Sequence, residues 1–148
     1  MANENPVVGI LVGSDSDREV MEKCTSRLEE LGVAYEIETR SAHRNPESVS
    51  EYASTARDRG IKVMICAAGM AAHLAGAVAG RTTLPVIGIP IAAGALNGFD
   101  SLLSTVQMPP GVPVATVGVN GAANAAILAA QIISLSDDDL ANTLRERK

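Results

Sequence analysis

The run Ser41-Ala42-His43-Arg44-Asn45-Pro46 sets a proton carrier beside a fixed positive charge and closes on a proline. Histidine exchanges a proton near neutral pH because its unperturbed pKa is about 6.5, and the chain has two, His43 and His73. A second run, Gly13-Ser14-Asp15-Ser16-Asp17, offers hydroxyls and backbone N–H groups. At a helix start that donor set suits a phosphate, with Ser14 and Ser16 as the candidate ligands. Asp17 would repel a phosphate but accept hydrogen bonds from sugar hydroxyls. The run is neither the Walker A pattern nor GxGxxG, so a nucleoside triphosphate or dinucleotide is not indicated. A third run, Gly69-Met70-Ala71-Ala72-His73-Leu74, places His73 among small and apolar neighbours. Each run taken singly also has an ordinary structural explanation: a hydrogen-bonded histidine, an exposed loop cation, helix capping by Ser and Asp.

The elements around these runs bring them to one place. Val7–Val12 is an apolar run of strand length, as expected of a strand covered on both faces. An amphipathic helix follows to about Leu31, with Val20, Met21, Cys24, Leu28 and Leu31 on one side and Gly32 as its C′ residue. Val33–Ile37 predicts a second strand and Glu47–Arg59 a helix with proline in its first turn. Gly60 punctuates, Lys62–Ala68 makes a third strand, and an alanine-rich helix runs to about Ala79. Leu84–Pro90 and Pro113–Val119 read as strands four and five, with a small-residue loop and a short helix, Asp100–Val106, between them. Ala122–Ile133 is an almost wholly apolar helix, and Ser136 reads as the N-cap of a polar C-terminal helix. Parallel neighbours need crossovers, and crossovers are right-handed. The pattern therefore predicts a three-layer α/β/α, flavodoxin-like fold around a central parallel sheet. Ser14, His43 and His73 each follow a strand, so all three fall at the carboxyl edge, where such sheets bind ligands.

Length predicts one α/β domain over 1–148, with a core at about 7–133 and a terminal helix at about 136–147. A net charge of -5 with scattered basic residues disfavours nucleic acid. No apolar run is long enough for a membrane helix, and the polar start Met1–Pro6 lacks the features of a signal peptide. The expectation is a soluble, cytoplasmic protein that binds neither membrane nor nucleic acid. Cys24 and Cys66 lack metal-site spacing and read as reduced, buried thiols. With one phenylalanine, two tyrosines and no tryptophan, the core is built from Ala, Val, Ile and Leu.

These three runs, with Pro85-Val86-Ile87-Gly88 and the stretch Asp100–Pro109, resemble the bacterial-type N5-carboxyaminoimidazole ribonucleotide mutase family of purine biosynthesis, over about Val7–Ile133. The resemblance implies a small-molecule substrate, an aminoimidazole bearing ribose 5-phosphate and a carbamate on its exocyclic nitrogen. The implied reaction moves that carboxylate to the ring carbon. His43 would be the acid-base residue, Ser14, Ser16 and Arg44 would hold the phosphate, and Asp17 the ribose. Ser41, Gly69, Ala72, His73 and Leu74 would complete the substrate pocket, His73 and the 69–72 backbone serving the migrating carboxylate. The resemblance calls for no metal or other cofactor and implies a homo-octamer. The sequence departs from the family pattern at Asn45, where threonine is common, and at Ala75, where proline is usual. A carboxylase using free carbon dioxide, and a phosphoribosyl-binding module without catalysis, stand as the rival readings.

Overall fold

The computed structural model describes residues 5–148, so Met1–Glu4 of the polar start lie outside the described residues. Strands β1 (Val8–Val12), β2 (Tyr35–Thr39), β3 (Val63–Gly69), β4 (Val86–Ile91) and β5 (Ala115–Thr116) form one sheet. Their order is β2-β1-β3-β4-β5, and every neighbouring pair is parallel. This is the flavodoxin-like winding, which reverses direction between β1 and β3. The three central strands are apolar throughout because helices cover both their faces, whereas edge strand β2 carries Glu36 and Glu38.

Strand side chains alternate between faces, and the two halves of the core follow that alternation. Val8, Ile10, Val12, Ile65 and Ile87 pack with Met21, Cys24 and Leu28 of α1 (Arg18–Glu30) and with the alanines of α5 (Ala122–Ser134). On the other face Leu11, Met64 and Cys66 meet Val49, Tyr52 and Ala53 of α2 (Pro46–Thr55) and Leu74, Ala75 and Val78 of α3 (Leu74–Ala79). Helix α4 (Phe99–Val106) lies over β4 on this second face. It comes so close that a Cβ on Gly88 would stand 2.5 Å from Thr105 Cγ2. Any side chain there would push α4 off the sheet.

Several boundaries differ from the sequence reading. Strand β2 starts at Tyr35 rather than Val33, because the Val33 N–H is taken by the Leu28 carbonyl in the turn that Gly32 closes at φ 71°. Helix α2 ends at Thr55, and a 3-10 turn, Arg57–Arg59, carries the chain to Gly60 at φ 94°. Strand β4 begins at Val86 and runs through Pro90 to Ile91. Strand β5 has two residues instead of seven: Val117 N–H still reaches Gly88 O at 3.1 Å, then the chain leaves the ladder until Asn120 N–H returns to Pro90 O at 2.8 Å. The cap of α6 (Asp138–Glu146) is Asp137, not Ser136, since the Asp137 carboxylate accepts the Leu140 N–H at 3.0 Å.

The alanines of the apolar helix α5 find their cover inside the chain. The sheet, α1 and Leu140 and Leu144 of α6 pack on it, and Ala122, Ala125, Ala126, Ala129 and Ala130 are fully buried, while Ile127, Leu128 and Ile132 are half-buried. Both cysteines are free and buried, and burial pushes the Cys24 thiol up to about 12. Among the described residues, no helix is long and apolar enough to cross a membrane.

Candidate active site

Sheet register determines which loops meet. Val12 pairs with Thr39 on one side and Ala67 on the other, and Ala67 pairs with Ile89. Two residues beyond that row stand Ser14, Ser41, Gly69 and Ile91. Backbone bonds extend the alignment past the strand ends, from Arg40 N–H to Val12 O at 2.9 Å and from Gly13 N–H to Ala67 O at 3.0 Å. The loops that follow β1, β2 and β3 thus leave the sheet side by side.

The first loop becomes a 3-10 turn, Asp15–Asp17, capped by Ser14, whose Oγ accepts the Ser16 N–H at 3.3 Å. Ser14 Oγ and Ser16 Oγ are also hydrogen-bonded to each other at 3.0 Å. Capping and ligand binding are compatible here, because each hydroxyl keeps capacity for a further partner. Asp15 points away and accepts a hydrogen bond from Thr39 Oγ1, which ties this loop to the end of β2. Asp17 is buried to 8% exposure. That burial raises its carboxyl above the usual value, against a hydrogen bond from the Ser14 backbone that lowers it.

The second loop is a tight turn, with Ser41 Oγ accepting the Arg44 N–H at 3.1 Å and Ser41 O accepting the Asn45 N–H at 2.9 Å. Asn45 then caps α2 by accepting the Ser48 N–H at 3.3 Å, so asparagine satisfies the helix start at this position. The turn leaves His43 and Arg44 exposed, and Arg44 forms no salt bridge among the described residues. Arg40 braces its stem: its guanidinium donates to Glu38 Oε1 at 2.7 Å and to Ser48 O at 2.7 Å, joining β2 to α2.

The third loop carries Met70 at φ 55°, in the left-handed region, and brings His73 back toward His43. The two imidazole rings lie 5.3 Å apart between centroids, tilted by 36°. Around them is an open cleft of about 410 Å³, lined on the β1 side by Ser14, Ser16 and Asp17, on the β2 side by Ser41, His43 and Arg44, and on the β3 side by Gly69, His73 and Leu74.

Nine of the ten residues singled out from sequence therefore border one cavity. The exception is Ala72, which is 2% exposed, lies behind the lining, and has its N–H engaged by Ser104 Oγ at 2.9 Å. Met70, expected there only through the 69–72 backbone, and Ala93, which sequence reasoning did not single out, also line the cleft. Met70 sits within a recognised motif, but nothing in its residue type signals the left-handed backbone that turns it there. Ala93 has no local signal, since it arrives from the loop after β4. Chemically the cleft holds two imidazole rings, a guanidinium with no salt bridge among the described residues, paired hydroxyls and a buried carboxyl group. Among the described residues, no three His, Cys, Asp or Glu side chains are grouped to hold a metal ion.

Comparison with known proteins agrees with this geometry. Residues 7–148 match the AIR carboxylase family. The N5-carboxyaminoimidazole ribonucleotide mutase of Bacillus subtilis strain 168 is 59% identical over 145 residues, covering 97% of this chain and 90% of that protein. The enzyme of the same name from Pyrococcus abyssi is 55% identical over 95% of this chain and 81% of its own length. The crystal structure of Treponema denticola PurE superposes with a TM-score of 0.86 at 35% identity, covering 96% of this chain and 89% of that one. With the family match spanning every loop of the cleft, this chain belongs to the AIR carboxylase family.

Proposed function

We propose that this chain is an isomerase that converts N5-carboxyaminoimidazole ribonucleotide to 4-carboxy-5-aminoimidazole ribonucleotide in purine (IMP) biosynthesis. The observation that carries this reading is the pairing of His43 and His73, ring centroids 5.3 Å apart, in the same cleft as Ser14, Ser16 and Arg44. It unites a proton carrier with a set of groups suited to a phosphate. The relatives' names support the choice of reaction.

In this reading Ser14, Ser16 and Arg44 hold the 5′-phosphate, Asp17 accepts from ribose hydroxyls, and Ser41 shapes the loop that presents His43. His43 gives a proton to the exocyclic nitrogen as its bond to the carboxyl carbon breaks, and carbon dioxide is freed. The electron pair left on nitrogen enriches the ring carbon, which attacks the carbon dioxide. His43 then takes the proton from that carbon, so the reaction is a net isomerisation that consumes nothing. Gly69, His73 and Leu74 confine the freed molecule, with Ala72 packed behind them. The chemistry asks for proton transfer and confinement, and no cofactor enters it.

The catalytic unit of this proposal spans about 7–133, with the C-terminal helix packed on it, and its setting is the cytoplasm, in keeping with two reduced thiols. Incubating the protein with the carbamate ribonucleotide, without ATP or added bicarbonate, should yield the ring-carboxylated product. A non-catalytic binding module would return the substrate unchanged, and a carboxylase would require carbon dioxide and the unmodified aminoimidazole.

The homo-octamer belongs to the same proposal. Its support comes from α4 and the loop before it, where Leu96, Phe99 and Leu103 are 60%, 66% and 50% exposed, and from Met70, 58% exposed, which lines the cleft. Large apolar side chains left exposed in this number favour cover by neighbouring copies. Light scattering at micromolar concentration should give a mass near eight chains, and a monomeric mass would refute the assembly.

A further inference from the structure

The turn that carries His73 is held from a distance. Gly69–His73 connects β3 to the short helix α3, and two bonds hold its 71–72 peptide. One link is local, from His73 N–H to Ala71 O at 2.9 Å. The other comes from 32 residues away, where Ser104 Oγ on α4 accepts the Ala72 N–H at 2.9 Å. The same hydroxyl donates to Asp100 O at 2.8 Å and lies 3.4 Å from Met70 O, so it touches the turn on both sides of Ala71.

Helix α4 is itself fixed. Ser101, fully buried, donates to Ile91 O at 2.8 Å, and Thr105 packs into the space left by Gly88. Ser101 and Thr105 are spaced to share one face of the helix, which sits on β4. Ser104 lies beside that face and reaches past β4 to the loop after β3.

The consequence bears on the cleft. With the Ala72 N–H turned to Ser104 and the Ala71 carbonyl turned to His73 N–H, the 71–72 peptide has both its polar atoms engaged. Without its hydroxyl partner, the buried Ala72 N–H would be unsatisfied, and the 71–72 peptide would turn to find another acceptor or water. Met70 at φ 55° is a strained neighbour that such a rotation would relax. His73 and the wall beside it would move with it.

We propose that Ser104 is a positioning residue for this site: it locks the Gly69–His73 turn so that His73 faces His43 and freed carbon dioxide meets a closed wall. The inference rests on the reaction assigned above, but its local part is readable without substrate.

The test compares Ser104→Ala with Ser104→Thr, which retains the γ-hydroxyl at an exposed position. Amide hydrogen exchange at Ala72 should accelerate by about 10-fold or more in the alanine variant, as a lost net hydrogen bond implies, and should return toward wild type in the threonine variant. Turnover of the carbamate ribonucleotide should fall by roughly 10- to 10²-fold in Ser104→Ala, the scale of a misplacement of about 1 Å. Affinity for the ribonucleotide product should stay within about 2-fold, because the phosphate groups are untouched. With a carboxyl-labelled substrate in unlabelled bicarbonate, the alanine variant should lose more label than wild type. Wild-type exchange at Ala72 in Ser104→Ala would overturn the clamp. Fast exchange with unchanged turnover and label retention would overturn the positioning role, as would equal losses of turnover and affinity. Failure of the wild-type protein itself to make product would instead refute the assigned reaction, leaving the exchange result to judge the clamp.

Discussion

Replacing His43 by asparagine should lower turnover of the carbamate ribonucleotide by roughly 10²- to 10⁴-fold, the usual cost of a lost acid-base group, and by more if both proton steps run through this ring. Asparagine keeps hydrogen-bonding atoms at a similar reach but cannot exchange a proton near neutral pH. Because His43 is exposed at the tip of its loop, the substitution leaves the core untouched. The loop itself is held by Ser41 and Asn45, whose hydrogen bonds do not involve the His43 side chain. Stability and ligand affinity should therefore change little, and steady-state kinetics beside calorimetric titration with the product would separate the two effects. A variant turning over near the wild-type rate would move the acid-base role to His73, whose ring is the other proton carrier in the cleft.

Arg44→Ala should act on binding. A hydrogen bond to a charged group contributes about 1.5–3 kcal/mol, so affinity for the ribonucleotide should fall by roughly 10- to 150-fold. Arg44 is exposed and forms no salt bridge among the described residues, so its removal leaves no orphaned protein charge to confuse the result. The dephosphorylated nucleoside should bind the variant as weakly as it binds wild type. Equal losses for both ligands would take Arg44 off the phosphate.

Much of this site was legible because its residues follow strands directly. A strand-to-helix loop in a parallel sheet must exit at the carboxyl edge, so Ser14, His43 and His73 were bound to share an edge once the alternation of elements was recognised. Adjacency was not legible, because it depends on the order β2-β1-β3 and on register, which hydrophobic runs alone do not specify. The boundaries that moved have local causes of the same kind. Val33 looks like strand but spends its N–H on Leu28 O, and Pro113–Val119 looks like a full strand yet pairs with β4 through two residues at an open edge. Composition marked α5 as an almost wholly apolar helix, but not that α1, α6 and the sheet would bury its alanines within the chain. Ala72 shows the deepest limit. Its place in a motif put it in the pocket, whereas its N–H points to Ser104, a contact across 32 residues that no spacing rule announces.

In the proposed reaction the carboxyl group leaves nitrogen and rejoins carbon without escaping the cleft. Its most direct test is to give the wild-type protein the carbamate ribonucleotide labelled with ¹³C in the carboxyl group, in excess unlabelled bicarbonate with carbonic anhydrase and without ATP, and to read the product by mass spectrometry. Ring-carboxylated product that retains the label is the expected result. Product carrying unlabelled carboxylate would show that carbon dioxide is taken from solution, and absence of the product would show that the cleft does not catalyse the transfer.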